Sequence, residues 1–219
     1  MFSAVIFDMN GVILNDERVH QQSWRVFCQQ HGFRLSEEQF TKKVFGRIEK
    51  ETFEFLFKKK LSEAEVEHYS NERVDIAISL VEPVLKANDG LLEVLKYLKE
   101  LQLPIGLATS SRKRYMNFVF DKLDLWNFFD AIVTAEDVQK GKPEPEVFLK
   151  AAALLRQEPE KCVAIEDSVS GITSAHAAGM KVIGIATTHT PEEIKAADKV
   201  IHSFEDQSPS ELFTSNIGE

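Results

Sequence analysis

A short apolar run that ends in a carboxylate, Val5-Ile6-Phe7-Asp8, and turns at once through Met9-Asn10-Gly11 constrains this chain more than any other stretch. Unbroken apolar runs of this length read as strands buried on both faces, the form found in parallel sheets. Asp8 then closes a buried strand, where a carboxylate can act as a nucleophile or ligate a metal. Its plain structural use would be to cap a turn that Gly11 relaxes.

The rest of the chain is patterned in two styles. From about Asp16 to Ala87 the apolar spacing is helical. Ser36 with Gln39, and Ser62 with Glu65, each spell a capping box. Phe53, Leu56 and Phe57 share one face of a helix expected over 49–60, and Pro83 breaks the pattern. From Asp89 the rhythm changes. Helices are expected over 91–101, 112–123, 144–156 and 170–178, with a short one from Pro191. Strands are expected over 104–110, 131–134, 162–167, 182–186 and 199–202. Such alternation implies parallel strands joined by right-handed crossovers. The expected fold is therefore α/β, a doubly wound parallel sheet built from 1–15 and 88–219, with an all-helical insert over 16–87. A chain of 219 residues has room for that arrangement.

Ligands of doubly wound sheets lie at the carboxyl ends of the strands. Four segments should converge there: Asp8 to Gly11, Thr109 to Ser111, Lys142, and Glu166 to Ser168. Thr109 and Ser110 offer a hydroxyl and free N–H groups, which suits phosphate. Lys142 offers a compact cation, held by Pro143 after it. Glu166 and Asp167, with Asp8, suit a hard ion ligated by oxygen, such as Mg2+. Each part has a plainer use by itself. Thr-Ser-Ser and Glu-Asp-Ser can cap helices, and a Lys before Pro is an ordinary loop residue. Their common placement at strand ends argues for a shared site.

Charge narrows the partners. With 26 basic against 35 acidic residues the formal charge is −9, which argues against nucleic acid or an anionic membrane surface. No apolar run reaches the length that spans a bilayer. Cys28 and Cys162 lie far apart, with no zinc or disulfide spacing, and read as two buried thiols. The first strand starts almost at the first residue, so no signal peptide is expected and the cytoplasm is the simplest location. A small anionic substrate remains compatible with that charge, because local positive groups can overcome a distant field. The phosphate-suited segments above and the resemblance below make the expected partner a small phosphorylated metabolite, bound by a monomer, with a dimer also compatible.

The motifs FDMNG at Phe7 to Gly11, ATSS at Ala108 to Ser111, GKPEPEVF at Gly141 to Phe148 and IEDSVSGI at Ile165 to Ile172 resemble the haloacid dehalogenase superfamily, in its β-phosphoglucomutase-like phosphatase branch. The resemblance covers nearly the whole chain. It implies a Rossmann-like core with a helical cap over 16–87 that closes on the site. Asp8 would be the nucleophile, passing through an aspartyl-phosphate. Met9, Asn10, Thr109, Ser110 and Lys142 would hold the phosphoryl group. Mg2+ would bind Asp8, the carbonyl of Asn10 and Asp167, with Glu166 beside it. His20 and Arg47, in the cap, would contact substrate, although each also reads as an ordinary helix-face or exposed residue. Family mutases place a Lys in the last cap helix. Residues 66–81 contain Arg73 and no Lys, which favours hydrolysis over a sugar-phosphate mutase. Dehalogenases of the superfamily fit less well, since they carry an aromatic residue where Asn10 stands.

The departure lies at Asn10. Phosphatases and mutases of this family carry Asp there, which protonates the leaving oxygen and then activates water. A carboxamide keeps the shape and the backbone carbonyl but relays no proton at neutral pH. The expected activity is therefore an impaired Mg2+-dependent phosphomonoesterase for a sugar phosphate or similar metabolite. Two explanations of Asn10 compete. One is a deliberate Asp-to-Asn exchange that slows turnover so that a ligand or phosphoenzyme can be trapped, which the three intact segments favour. The other is a natural Asn that marks a feeble enzyme or a catalytically silent binding protein. His176, His189 and His202 show no metal-ligand spacing and read as surface or structural.

Overall fold

In the computed structural model, residues 2–44 and 49–213 are described. The chain divides into two compact units, Met1–Asn15 with Lys86–Glu219, and Asp16–Leu85. Among the described residues no helix is long and apolar enough to cross a membrane.

The first unit is built on a six-stranded sheet, every neighbouring pair parallel: β1 Ala4–Phe7, β2 Ile105–Ala108, β3 Ala131–Val133, β4 Cys162–Glu166, β5 Lys181–Ile185 and β6 Lys199–Ile201. Their order is β3-β2-β1-β4-β5-β6, which makes β1 central and places the reversal of strand order between β1 and β4. Every side chain of β1 is buried, as its unbroken apolar sequence requires. Burying a Val, Ile or Phe contributes roughly 1.5–3 kcal/mol each, so this strand anchors the sheet. The register sets Phe7 opposite Leu107 on one side and Ile165 on the other. Asp8, Ala108 and Glu166 therefore come level at the carboxyl edge.

Helices α5 Leu91–Glu100, α6 Lys113–Leu123, α7 Glu146–Leu154, α8 Val169–Ala177 and α9 Pro209–Leu212 belong to this unit. The second unit holds α1 Glu17–Gln30, α2 Glu37–Lys43, α3 Glu49–Phe57 and α4 Glu63–Val81. Both expected capping boxes form, Ser36 with Gln39 and Ser62 with Glu65. The core of this unit is aromatic, with Trp24, Phe27, Phe40 and Phe53 buried and Phe55 and Phe57 packed against them. Arg73 on α4 is buried, donating through Nε to Glu49 Oε1 at 2.9 Å, with Ser70 completing the carboxylate at 2.7 Å.

Several boundaries differ from the sequence expectation. α7 starts at Glu146 rather than Glu144, because Pro143 and Pro145 lack N–H groups and Glu144 enters a turn closed on Gly141 O. It ends at Leu154, two residues short of Arg156, which takes a positive φ of 58°. Residues 191–196 form turns and not the short helix expected from Pro191. Glu193 and Ala197 close three-residue bonds to Thr190 and Ile194, and so short a segment does not recover the cost of helix nucleation. α9 was not expected, although Ser208-Pro209-Ser210-Glu211 spells a capping box with Pro in the first turn.

Candidate active site

The three central strand ends bring four carboxyl-edge segments together. Asp8 follows β1, and its N–H donates to Ile165 O at 2.9 Å, so the β1–β4 ladder itself fixes the carboxylate. Glu166 closes β4. Its Oε2 accepts from the N–H groups of Asp167 and Ser168 at 2.9 and 3.0 Å, and from the Ser168 hydroxyl at 3.0 Å. Lys142 reaches both acids. Its Nζ lies 2.6 Å from Asp8 Oδ1 and 2.6 Å from Glu166 Oε1, and donates to Ala108 O at 3.0 Å. Its ammonium also stands 4.9 Å from the centre of the Phe148 ring, on α7. Asp8, Glu166 and Asp167 are all buried, and each offers one oxygen within 4.8 Å of the others.

Two glycines make the room. A Cβ on Gly11 would lie 2.0 Å from Asp167 Oδ2, and φ there is +79°. A Cβ on Gly171 would lie 1.7 Å from Glu166 Oε1. Any side chain at either position displaces a carboxylate of the cluster. Asn88 fastens the turn after Asp8 from behind, donating to Gly11 O at 2.9 Å and Val12 O at 2.8 Å.

Burial is the dominant influence on the acids. It pushes Asp8 up to about 7, helped by the Glu166 charge and opposed by Lys142 and by the Met9 N–H. It pushes Asp167 up to about 8, with Glu166 and Asp8 adding repulsion. Burial by itself would depress Lys142, but Asp8 and Glu166 outweigh it and keep the ammonium charged.

A pH dependence follows. With their values raised by burial from 3.8 to about 7 and about 8, Asp8 and Asp167 ionise at higher pH in the folded protein than in the unfolded chain, which has already given up these protons near pH 4. Over that window the unfolded state binds fewer protons, so stability falls as pH rises. In chelator, the calorimetric Tm is expected to decline from pH 5 to pH 8. A flat or rising Tm would mean that the two acids are already ionised.

The ATSS segment is arranged differently from expectation. Thr109 is buried, but its N–H is not free, because it donates to Val133 O at 3.0 Å and continues the β2–β3 ladder by one residue. Its hydroxyl accepts from Ser111 N at 3.0 Å. Ser110 is exposed. Ser111, one residue beyond the expected pair, donates its hydroxyl to Asn10 Oδ1.

Of the two insert residues, His20 lies on α1 with Nε2 3.1 Å from Asp16 Oδ2. Arg47 lies outside the described residues. Lys59 and Lys60 pair with Glu65 and Glu54, and the backbone N–H of Lys113, at the start of α6, donates to Glu136 Oε2 at 3.0 Å.

The segment after β5 was missed. Thr187 donates to Gly11 O at 2.6 Å, and Thr188 donates to Asp167 Oδ2. His189 Nδ1 lies 3.0 Å from the Thr188 hydroxyl, so of the two expected roles, surface or structural, this half-buried His has the structural one. Strand-end logic alone could have found it, since Thr187-Thr188-His189 follows a buried apolar strand just as Asp8 does.

The family model for haloacid dehalogenase-like hydrolases matches residues 5–185. The chain is 31% identical to the phosphorylated carbohydrates phosphatase of Thermotoga maritima, covering 82% of this chain and 83% of that protein. It is also 31% identical to the β-phosphoglucomutase of Bacillus subtilis, over 93% of this chain and 90% of that one. A solved haloacid dehalogenase hydrolase of family IA, variant 3, from Entamoeba histolytica superposes with a TM-score of 0.86. Its identity is 31%, with 99% of this chain and 97% of that chain covered.

Proposed function

The chain belongs to the haloacid dehalogenase-like hydrolases, and from that premise we propose that it is a Mg2+-dependent phosphomonoesterase of small phosphorylated metabolites, sugar phosphates or close analogues. The observation that carries the reading is Lys142 held between Asp8 and Glu166 at 2.6 Å each, beside Asp167. In this reading the Asp8 carboxylate attacks phosphorus and the ester oxygen leaves with its electron pair. The phosphoryl group then sits on Asp8 until water attacks the same phosphorus, releasing inorganic phosphate and restoring the carboxylate. Lys142 neutralises a phosphoryl oxygen during both displacements.

Mg2+ fits the residues present. Asp8, Glu166 and Asp167 are hard oxygen donors, and burial together with mutual repulsion raises Asp8 and Asp167, which is the electrostatics of a cluster short of positive charge. Asp8 and Asp167, with the Asn10 carbonyl, would hold the ion, which when bound supplies charge neutralisation at the phosphoryl oxygens. Asn10 is the weak point. Its amide N–H groups are too weakly acidic to protonate the leaving oxygen, so water must supply that proton, and turnover is slow.

The test is phosphate release by the protein and its Asn10→Asp variant across a panel of sugar and polyol phosphates, with and without Mg2+. Release that needs Mg2+ and rises in the variant supports the reading. An inert variant that still binds phosphate esters would instead make this a binding protein. Accumulation of an isomerised sugar phosphate in place of free phosphate would make it a mutase.

A further inference from the structure

The geometry points to Thr188, oriented by His189, as a positioning residue that sets the metal-binding carboxylate of Asp167. The inference rests on the Mg2+ reading above but concerns residues outside the motifs that suggested it. Asp167 is attached to the loop after β4, and a carboxylate there can rotate about its own side-chain bonds. One bond and one close approach restrict that freedom, and two further bonds hold the segments that supply them. Thr188 donates its hydroxyl proton to Oδ2. Gly11, lacking a Cβ, lets the same oxygen sit where a side chain would stand 2.0 Å away. Thr187 donates to Gly11 O at 2.6 Å, and Asn15 donates to Thr187 O at 3.0 Å. The segment after β5 is thus bonded both to the turn behind the nucleophile and to the acid opposite it. With Oδ2 engaged, Oδ1 is the oxygen left to take a cation.

The hydroxyl of Thr188 has one proton. Given to Asp167, it leaves Oγ1 to accept from His189, 3.0 Å away, which requires the proton of the imidazole to reside on Nδ1. In that tautomer His189 N–H and Asp167 Oδ2 together hold the Thr188 hydroxyl in one donating direction. Contacts of this kind, one bond removed from a metal, orient the ligand and typically change metal affinity by 10–100-fold when removed.

Orientation matters unequally for different ions. Mg2+ demands near-octahedral geometry at short distance, whereas Ca2+ accepts irregular shells. Loss of a merely structural hydrogen bond would weaken both ions alike. Loss of a positioning bond weakens Mg2+ more than Ca2+.

Titration calorimetry of the whole protein with Mg2+ and with Ca2+ makes the test. Thr188→Val is expected to weaken Mg2+ binding by about 10–100-fold, with a smaller loss for Ca2+, and Thr188→Ser is expected to restore both. Equal Mg2+ affinity in parent and Val variant overturns the positioning role and leaves the proposed function standing. A parent protein that binds no Mg2+ overturns both. Should Thr188→Val fail to fold, His189→Phe carries the test, because it frees the hydroxyl without exposing Asp167. Weaker Mg2+ binding then supports the role, and unchanged binding overturns it.

Discussion

The Asn10→Asp protein is expected to release phosphate from its substrate about 10²–10⁴ times faster than the parent, the range that a positioned general acid–base group contributes. The replacement is nearly isosteric. The Ser111 hydroxyl that donates to Asn10 Oδ1 can donate equally to a carboxylate, so the side chain keeps its place. What changes is the ability to hand a proton to the leaving oxygen and take one from water. The gain should appear in kcat with KM little altered, since the ground-state contacts are conserved. Steady-state phosphate release at saturating Mg2+ reads it directly. An unchanged rate would show that the slow step lies elsewhere and would remove the acid–base role from this position. Asn10 precedes Gly11, a pair prone to lose its amide nitrogen, so mass spectrometry of the parent must confirm that residue 10 is still Asn.

Lys142→Met is expected to cost the metal-free protein about 3–5 kcal/mol at neutral pH, the usual penalty for removing one partner of a buried ion pair. Met preserves the length of the stem and deletes the charge. Asp8 and Glu166 would then face each other without the ammonium that lies 2.6 Å from both, and Ala108 O would lose its donor. For a chain of this size the Tm should fall by roughly 6–20 °C. The loss should shrink toward pH 5, because protonation of the acids substitutes for the missing cation. Even where the variant folds, it should hydrolyse no phosphate ester in the Asn10→Asp background. An undiminished Tm at neutral pH would mean that the acids carry no charge there to be compensated.

Much of the fold was legible because its signals are local. Val5-Ile6-Phe7 declares a buried strand, Ser36 and Ser62 declare helix starts, and the alternation after Asp89 declares a parallel sheet. Errors fell where local preference is weak or is overruled. The residues after Pro191 have helix-forming composition but too short a run before β6 to nucleate. Pro143 and Pro145 delay α7, a delay that composition alone understates. At the site, Asp8, Lys142, Glu166 and Asp167 were named from strand ends and motif, and the structure brings them together. The bond between Thr109 N and Val133 O was not legible, because it depends on how far the β2–β3 ladder runs. Thr188 carried only the weak signal of following a buried apolar strand, and its role shows once its bond to Asp167, at the end of the neighbouring strand, is seen.

The central position of β1 bears on biogenesis. β1 is made well before the strands that flank it, β2 and β4, and the Lys142–Asp8 bond joins residues 134 apart in sequence. Contacts so distant along the chain slow folding. An incomplete nascent polypeptide, even one already carrying residues 1 to 160, lacks the Glu166–Asp167 pair and the β5 segment behind it. Such a chain holds one acid of the cluster and not the other two, so the cluster can assemble only after β4 has been made.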